Sequence, residues 1–97
     1  MQVPLAALTS PLRATLIGAD ATIDRVITDS RLARPGDLFV PLVAERDGHD
    51  FVAAALAAGA TAALSERGTD DLGLDHDARL LLVAHTGAAL NDLARFA

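Results

Sequence analysis

The sequence has no cysteine, no lysine, no tryptophan and no tyrosine, and these absences exclude several classes of protein. Without cysteine there is no disulfide, no thiolate metal site and no cysteine nucleophile. Without lysine there is neither a P-loop lysine nor a lysine that forms a Schiff base. The net charge is −5 and every basic residue is arginine. An acidic chain without a basic stripe argues against nucleic acid and against anionic membrane surfaces as partners.

Long hydrophobic runs are also missing. The longest apolar stretch, residues 51–64, is interrupted by Gly59 and is shorter than the roughly 20 residues that cross a bilayer. The first twenty residues have no basic lead before an unbroken apolar run, so they do not resemble a signal peptide. Ninety-seven residues, 52% of them hydrophobic, fit one domain with a modest core. We therefore expect a single cytoplasmic domain, monomeric and without membrane or nucleic-acid partners.

The hydrophobic pattern predicts a small α/β domain with a mixed or partly parallel sheet and two to three helices. A short helix near the N-terminus is limited by Pro11, and irregular chain is expected after it. The second helix should bury Phe51, Ala55 and Leu56, and Thr86 should cap the last helix. The expected strands and helices, in order, are strands at 22–28 and 37–43, a helix over 47–60 with Gly59 as its C-terminal capping glycine, strands at 61–66 and 79–85, and a helix at 86–97. Because the last helix has no stop signal, the chain reads as a segment of a longer protein.

The tetrapeptide "TDSR" at 28–31 follows the first long strand and allows two interpretations. Asp29 and Ser30 can bond their own backbone in a turn, while Arg31 pairs with Asp29 or Asp37. Alternatively, the Ser30 hydroxyl and neighbouring N–H groups bind an anionic ligand at a strand end. The residues alone favour the turn.

The octapeptide "AERDGHDF" at 44–51 also has a structural and a functional interpretation. Asp47 can cap the following helix, with His49 as a half-exposed residue of its first turn, or the loop and the helix N-terminus can form the wall of a nucleotide pocket. His49 and Asp50 do not form a catalytic dyad, since adjacent helical residues do not face each other. Residues 75–77, "DHD", read as a solvated loop rather than a metal site. No nucleophile–base pair, zinc helix or P-loop is present, so we assign no catalytic residue and no metal ligand.

The sequence resembles the N-terminal domain of the Mur ligases in four segments, which follow one another in the same order. They are "TDSR", "RPGDLFV", "DGHDF" and the helix ending in "AAGA". The resemblance covers residues 26–64 well and the flanks loosely. It implies that residues 1–97 are the N-terminal substrate-binding domain, which holds the uridine diphosphate (UDP) end of a UDP-N-acetylmuramoyl-peptide. The substrate-binding residues that it implies are Thr28, Ser30, Arg31, Ala44, Glu45, Arg46, Asp47 and His49. In this sequence the loop begins with Ala44 rather than the family's glycine and is one residue shorter.

The resemblance also implies what the parent ligase needs. ATP and Mg2+ would be the cofactors of the parent ligase, and this segment would bind neither. The central ATPase domain of the parent ligase would be the partner of this domain. The central and C-terminal domains of the family are absent from these 97 residues. The last helix, "TGAALNDLARFA", is most similar to the family members that add D-alanyl-D-alanine to the peptidoglycan precursor. The alternatives are a ligase that adds diaminopimelate or lysine, and a stand-alone module that binds a nucleotide sugar or a protein without catalysis.

Overall fold

Five strands form one sheet whose spatial order differs from their order along the chain. The structure, a computed structural model, describes residues 2–42 and 47–96. The sheet runs β2-β7-β6-β5-β4, with β4 to β7 parallel and β2 antiparallel to β7. A separate two-stranded ribbon pairs β1 with β3. The strands are β1 (Val3–Pro4), β2 (Thr15–Ile17), β3 (Thr22–Ile23), β4 (Arg25–Ile27), β5 (Asp37–Phe39), β6 (Ala62–Ser65) and β7 (Leu80–Leu82).

Three α-helices and three single turns of 3₁₀ helix connect these strands within the described residues. The helices are α1 (Thr9–Leu12), α2 (Val52–Ala58) and α3 (Thr86–Phe96), and the 3₁₀ turns are Leu5–Leu8, Ser30–Leu32 and Gly48–Phe51. The predicted α/β class and the partly parallel sheet are confirmed. No described helix has the length and apolar character needed to cross a membrane.

Each face of the sheet is covered by a different helix layer. Successive strand residues point to opposite faces, so Leu38 packs with α1 and α3 on one side while Phe39 packs with α2 on the other. Leu80 and Leu81 divide in the same way, and both are fully buried. The middle of the apolar run at 79–85, β7, is therefore a central strand with buried residues on both faces, as its composition predicts, and the strand is shorter than expected.

Two sequence expectations in the N-terminal third were wrong. The chain after α1 is not irregular throughout, because Thr15–Ile17 forms the edge strand β2 against β7. The strand expected at 22–28 is divided at Asp24 into β3 and β4, which belong to different sheets. The N–H groups of Asp24 and Arg25 both donate to the Gly36 carbonyl, at 2.8 and 3.2 Å. This shared acceptor turns the chain from one sheet into the other.

The second helix also differs from its expected form. Its first turn is 3₁₀, and α2 itself begins at Val52 and ends at Ala58, followed by the capping residue Gly59 with φ 121°. Val52 and Ala55 are fully buried, whereas Phe51 is exposed on the surface. The expected stripe was wrong at Phe51, because the 3₁₀ turn rotates that residue away from the face that α2 presents to the sheet.

Candidate functional site

Polar residues gather at the edge of the sheet where the parallel strands end. Parallel strands β4 to β7 bring their carboxyl ends to one edge, and ligands of open α/β sheets commonly bind there. Thr28–Arg31 follow β4, and the loop that reaches Asp47 follows β5. Glu66 and Arg67 follow β6, and Thr86 begins α3 after β7. The topology therefore brings together segments separated by up to nearly sixty residues of sequence.

The turn after β4 has the local geometry that its sequence predicts. The Asp29 carboxylate accepts hydrogen bonds from the Arg31 N–H at 3.0 Å, from Nε at 3.0 Å and from a terminal nitrogen at 2.8 Å. These bonds to Arg31 lower the pKa of Asp29 to about 2. Of the two partners proposed for Arg31, the structure has Asp29; Asp37 instead binds Arg25. The Arg31 side chain remains 86% exposed, so it can also reach a ligand.

The other predicted ligand contacts divide between described and undescribed residues. Thr28 is exposed and Ser30 is half-buried, both beside the end of β4. Ala44, Glu45 and Arg46 lie outside the described residues, so their predicted contacts stay predictions. Thr28, Ser30 and Arg31 are thus placed on the carboxyl edge of the sheet.

The residues that follow this loop are fixed by a buried histidine. Asp47 caps the 3₁₀ turn, as predicted: its Oδ1 accepts from the His49 N–H at 2.9 Å. The same oxygen lies 2.8 Å from His49 Nδ1, and the other carboxylate oxygen binds Arg67. The two bonds from His49, backbone first, hold the pKa of Asp47 below its usual range. His49 itself is 3% exposed rather than half-exposed on the surface.

Residues after β6 complete the edge, and the sequence interpretation did not include them. The Glu66 N–H donates to His49 Nε2 at 2.9 Å, and the Glu66 carboxylate accepts from the Thr86 N–H at 2.8 Å and from its hydroxyl at 3.2 Å. The Thr86 N–H is the main cause of the lowered pKa of Glu66. Thr86 was expected to cap α3, but the His85 carbonyl accepts the first helical bond, from Ala89. His85 is therefore the capping position, Thr86 is the first helical residue, and Glu66 supplies the capping oxygen.

This arrangement suits binding rather than proton transfer. Both nitrogens of His49 are engaged, one by Asp47 and one by the Glu66 N–H, so neither is available to a substrate. Ser65 is buried, and its hydroxyl donates to the Arg67 carbonyl at 2.6 Å. In residues 2–42 and 47–96, no cluster of three or more acidic or imidazole groups could hold a metal ion. Asp75, His76 and Asp77 are exposed in a turn, as predicted.

A separate cleft opens at the far end of the same edge. It has a volume of about 310 Å3 and lies between the end of α1 and the start of α3. Its lining includes Arg13, His85 and Asp92 above an apolar floor. Neither Asp47 nor His49 lines this cleft.

Comparison with known proteins connects this chain with a family. No family model matches the chain. It is 45% identical over 95 residues to the UDP-N-acetylmuramoyl-tripeptide–D-alanyl-D-alanine ligase of Escherichia coli K12, a match that covers 97% of the chain and 20% of that protein. It is 42% identical over 65 residues to the UDP-N-acetylmuramoyl-L-alanyl-D-glutamate–2,6-diaminopimelate ligase of Bradyrhizobium diazoefficiens, covering 57% of the chain and 13% of that protein.

Solved structures lead to the same family. The MurF crystal structure from Acinetobacter baumannii superposes with a TM-score of 0.83 at 30% identity, over 99% of the chain and 21% of MurF. MurF from Thermotoga maritima, solved with ADP, matches with a TM-score of 0.62 at 37% identity, over 74% of the chain and 16% of that protein. The chain has the sequence and the fold of a Mur ligase N-terminal domain. Among the Mur ligases it resembles MurF, the D-alanyl-D-alanine ligase, and it spans about a fifth of the length of these relatives.

Proposed function

We propose that this chain is the substrate-binding domain of a Mur ligase that adds D-alanyl-D-alanine in peptidoglycan precursor synthesis. In this proposal the carboxyl edge at β4 and β5 binds the UDP end of UDP-N-acetylmuramoyl-tripeptide. The observation that carries it is the match over 97% of the chain to the E. coli ligase, whose name states that substrate and that reaction. Three diaminopimelate ligases match 57% to 77% of the chain at 41–42% identity, less than the 97% and 45% of the E. coli ligase, so a diaminopimelate ligase is the second candidate.

The chemistry of the edge supports this ligand. A diphosphate binds well to guanidinium groups and to hydroxyl and backbone donors, while uracil needs polar groups at the side of a slot. Arg31 is 86% exposed, and Thr28 and Ser30 lie beside it at the end of β4. Asp47 and His49 would shape the opposite wall, and Ala44, Glu45 and Arg46 are the remaining proposed contacts. Arg31 would exchange its bond with Asp29 for a phosphate at small cost, because exposed ion pairs contribute little to stability.

The ATP-dependent step is assigned to another part of the parent ligase. One relative was solved with ADP, and ATP with Mg2+ would activate the substrate there. The residues of this chain do not fit an ATP site, since the sequence has neither lysine nor a P-loop. A central ATPase domain would be the main partner of this domain. The expected cytoplasmic location and monomeric state stay predictions.

A titration followed by amide NMR tests the proposal. UDP and then UDP-N-acetylmuramoyl-tripeptide are added to the 97-residue protein, with CDP as the ligand of the wrong base. We expect saturable shifts at residues 28–31 and 44–49, stronger for UDP than for CDP. Shifts confined to the cleft at Arg13 and His85, or a folded protein without shifts at millimolar ligand, would contradict the proposed site.

A further inference from the structure

A chain of hydrogen bonds runs from the proposed ligand loop to the start of α3. It begins at the Asp47 carboxylate, passes through the His49 ring and the Glu66 backbone, and ends at Thr86. Its three links measure 2.8, 2.9 and 2.8 Å. Two of its members are buried, with His49 3% and Thr86 2% exposed. These hydrogen bonds join residues that follow three different strands, so they do not belong to any single turn.

The geometry fixes the protonation of His49. The Glu66 N–H can only donate, so Nε2 must present its lone pair. The remaining ring proton is then on Nδ1, where it is donated to Asp47. His49 is therefore neutral and in the Nδ1–H tautomer, while His76 and His85 are exposed and free of this constraint.

Glu66 connects this ring to α3 through two different groups. Its backbone N–H binds His49, and its carboxylate binds the Thr86 N–H and hydroxyl. The Thr86 N–H is one of the donors at the start of α3 that have no partner within the helix. Any movement of the loop that displaces His49 therefore changes the position of Glu66 and the capping of α3.

We propose that Glu66 is a positioning residue for the ligand site. Together with His49 in its Nδ1–H tautomer, it couples the loop ending at Asp47 to the first turn of α3. This inference rests on the proposed function for its effect on the nucleotide, but the coupling itself is a property of the free protein. A ligand that displaces Asp47 is sensed at Thr86, and loss of the Glu66 carboxylate, which does not touch the ligand itself, weakens ligand binding.

The first experiment needs no ligand. Long-range ¹⁵N–¹H spectra of the imidazole rings should show the Nδ1–H pattern for His49 alone, with His76 and His85 as internal references. In Asp47→Asn the Thr86 amide should shift. In Asp70→Ala, which changes an exposed acidic residue of the loop between β6 and β7, it should not. An Nε2–H pattern for His49, or a Thr86 amide indifferent to Asp47→Asn, would overturn the coupling.

The second experiment measures UDP affinity in three variants with melting temperature as a parallel readout. Glu66→Ala should weaken UDP binding by about 3- to 30-fold and abolish the response of the Thr86 amide to UDP. Glu66→Gln retains an oxygen that accepts from Thr86, so it should restore most of the affinity; Asp70→Ala should match the wild type. Equal affinity in Glu66→Ala and wild type would overturn the positioning role. If wild type fails to bind UDP, the proposed function fails in this chain, and the ligand-free spectra still decide the coupling.

Two variants of His49 test its hydrogen bond to Asp47 and its hydrogen bond to Glu66 separately. His49→Asn can keep a donor toward Asp47, and His49→Gln can keep an acceptor toward the Glu66 N–H. We expect the Thr86 amide to respond to UDP in the Gln variant more than in the Asn variant, because only Gln preserves the link to Glu66. The opposite order would contradict the path through the Glu66 backbone.

Discussion

Two Asp–Arg pairs with the same two-pronged geometry lie at opposite ends of β4 and differ in burial. At the amino end, Arg25 binds Asp37 through Nε and a terminal nitrogen, both at 2.7 Å. At the carboxyl end, Arg31 binds Asp29 through the same two groups at 3.0 and 2.8 Å. The Asp37 side chain is 1% exposed, whereas that of Asp29 is 36% exposed.

The difference in burial makes the Arg25–Asp37 pair structural, whereas Arg31 in the exposed pair can exchange Asp29 for another partner. Asp37 also accepts the Arg34 N–H at 3.0 Å, and its bond to Arg25 joins the first residues of two parallel strands. Asp29 and Arg31 are two residues apart, so their pair shapes one turn and crosses no strand. An exposed ion pair competes with water and salt, and its arginine can change partner at little cost. The pair at the amino end of β4 is therefore structural, whereas Arg31 at the carboxyl end of β4 is free to exchange its partner.

The largest expected effect is loss of the buried carboxylate. Asp37→Ala leaves Arg25 and the Arg34 N–H without their acceptor, and it should lower the free energy of unfolding by about 3 kcal/mol. Urea denaturation measures this change. Asp29→Ala is the matched control and should lose much less. Equal losses in the two variants would mean that burial does not distinguish the pairs.

A steric change at the carboxyl end should have the next largest effect. A Cβ at Gly48 would lie 2.5 Å from the Leu42 nitrogen and 2.6 Å from its oxygen, where backbone cannot yield easily. Gly48→Ala should therefore cost about 1–3 kcal/mol by overpacking and weaken UDP binding by displacing the loop. In Gly87→Ala, where the added Cβ meets nothing within 4 Å, stability should be unchanged or rise by about 0.5 kcal/mol. If Gly48→Ala is destabilised but binds UDP as tightly as the wild type, the loop at Gly48 does not contribute to UDP binding.

Acid should release the exposed pair at a defined pH. The folded-state pKa of Asp29 is lowered to about 2, mainly by the Arg31 side chain, from an unfolded value near 4. A lowered pKa gives stability that is present above the unfolded value and is lost as pH falls from about 4 to about 2. A ¹³C titration of the Asp29 carboxyl group measures this directly. In Arg31→Ala the titration should move upward, and an unchanged midpoint would exclude Arg31 as the cause.

The smallest effect on stability is expected at Ser30. Ser30→Ala should leave the melting temperature nearly unchanged, because the half-buried hydroxyl belongs to a surface turn. Under the proposed function, it should weaken UDP binding measurably. Ser10→Ala, an exposed serine on α1, serves as the control for both readouts. A large fall in melting temperature with unchanged affinity would make Ser30 a turn residue only.

The local parts of this molecule could be predicted from the sequence. Two hydrogen bonds join residues that are two positions apart: the Arg31 N–H donates to Asp29, and the His49 N–H donates to Asp47. Turn and capping chemistry is enough to predict both bonds without the rest of the fold. The buried strands β5, β6 and β7 lie within the segments 37–43, 61–66 and 79–85 that were predicted as strands, although each is shorter than predicted. The end of α2 was predicted from the capping glycine Gly59.

Other features were decided only by the tertiary structure, because their partners are distant in sequence. Thr15–Ile17 forms a strand because it pairs with β7, which lies more than sixty residues further along the sequence. The three residues 15–17 contain no local pattern from which this pairing could be predicted. Glu66 finds His49 17 residues before it and Thr86 20 residues after it. The sequence by itself determined the class of fold, its buried strands and its local turns. Only the order of strands in the sheet could bring Asp47, His49, Glu66 and Thr86 to one edge, because contacts between distant residues depend on topology rather than on local propensity.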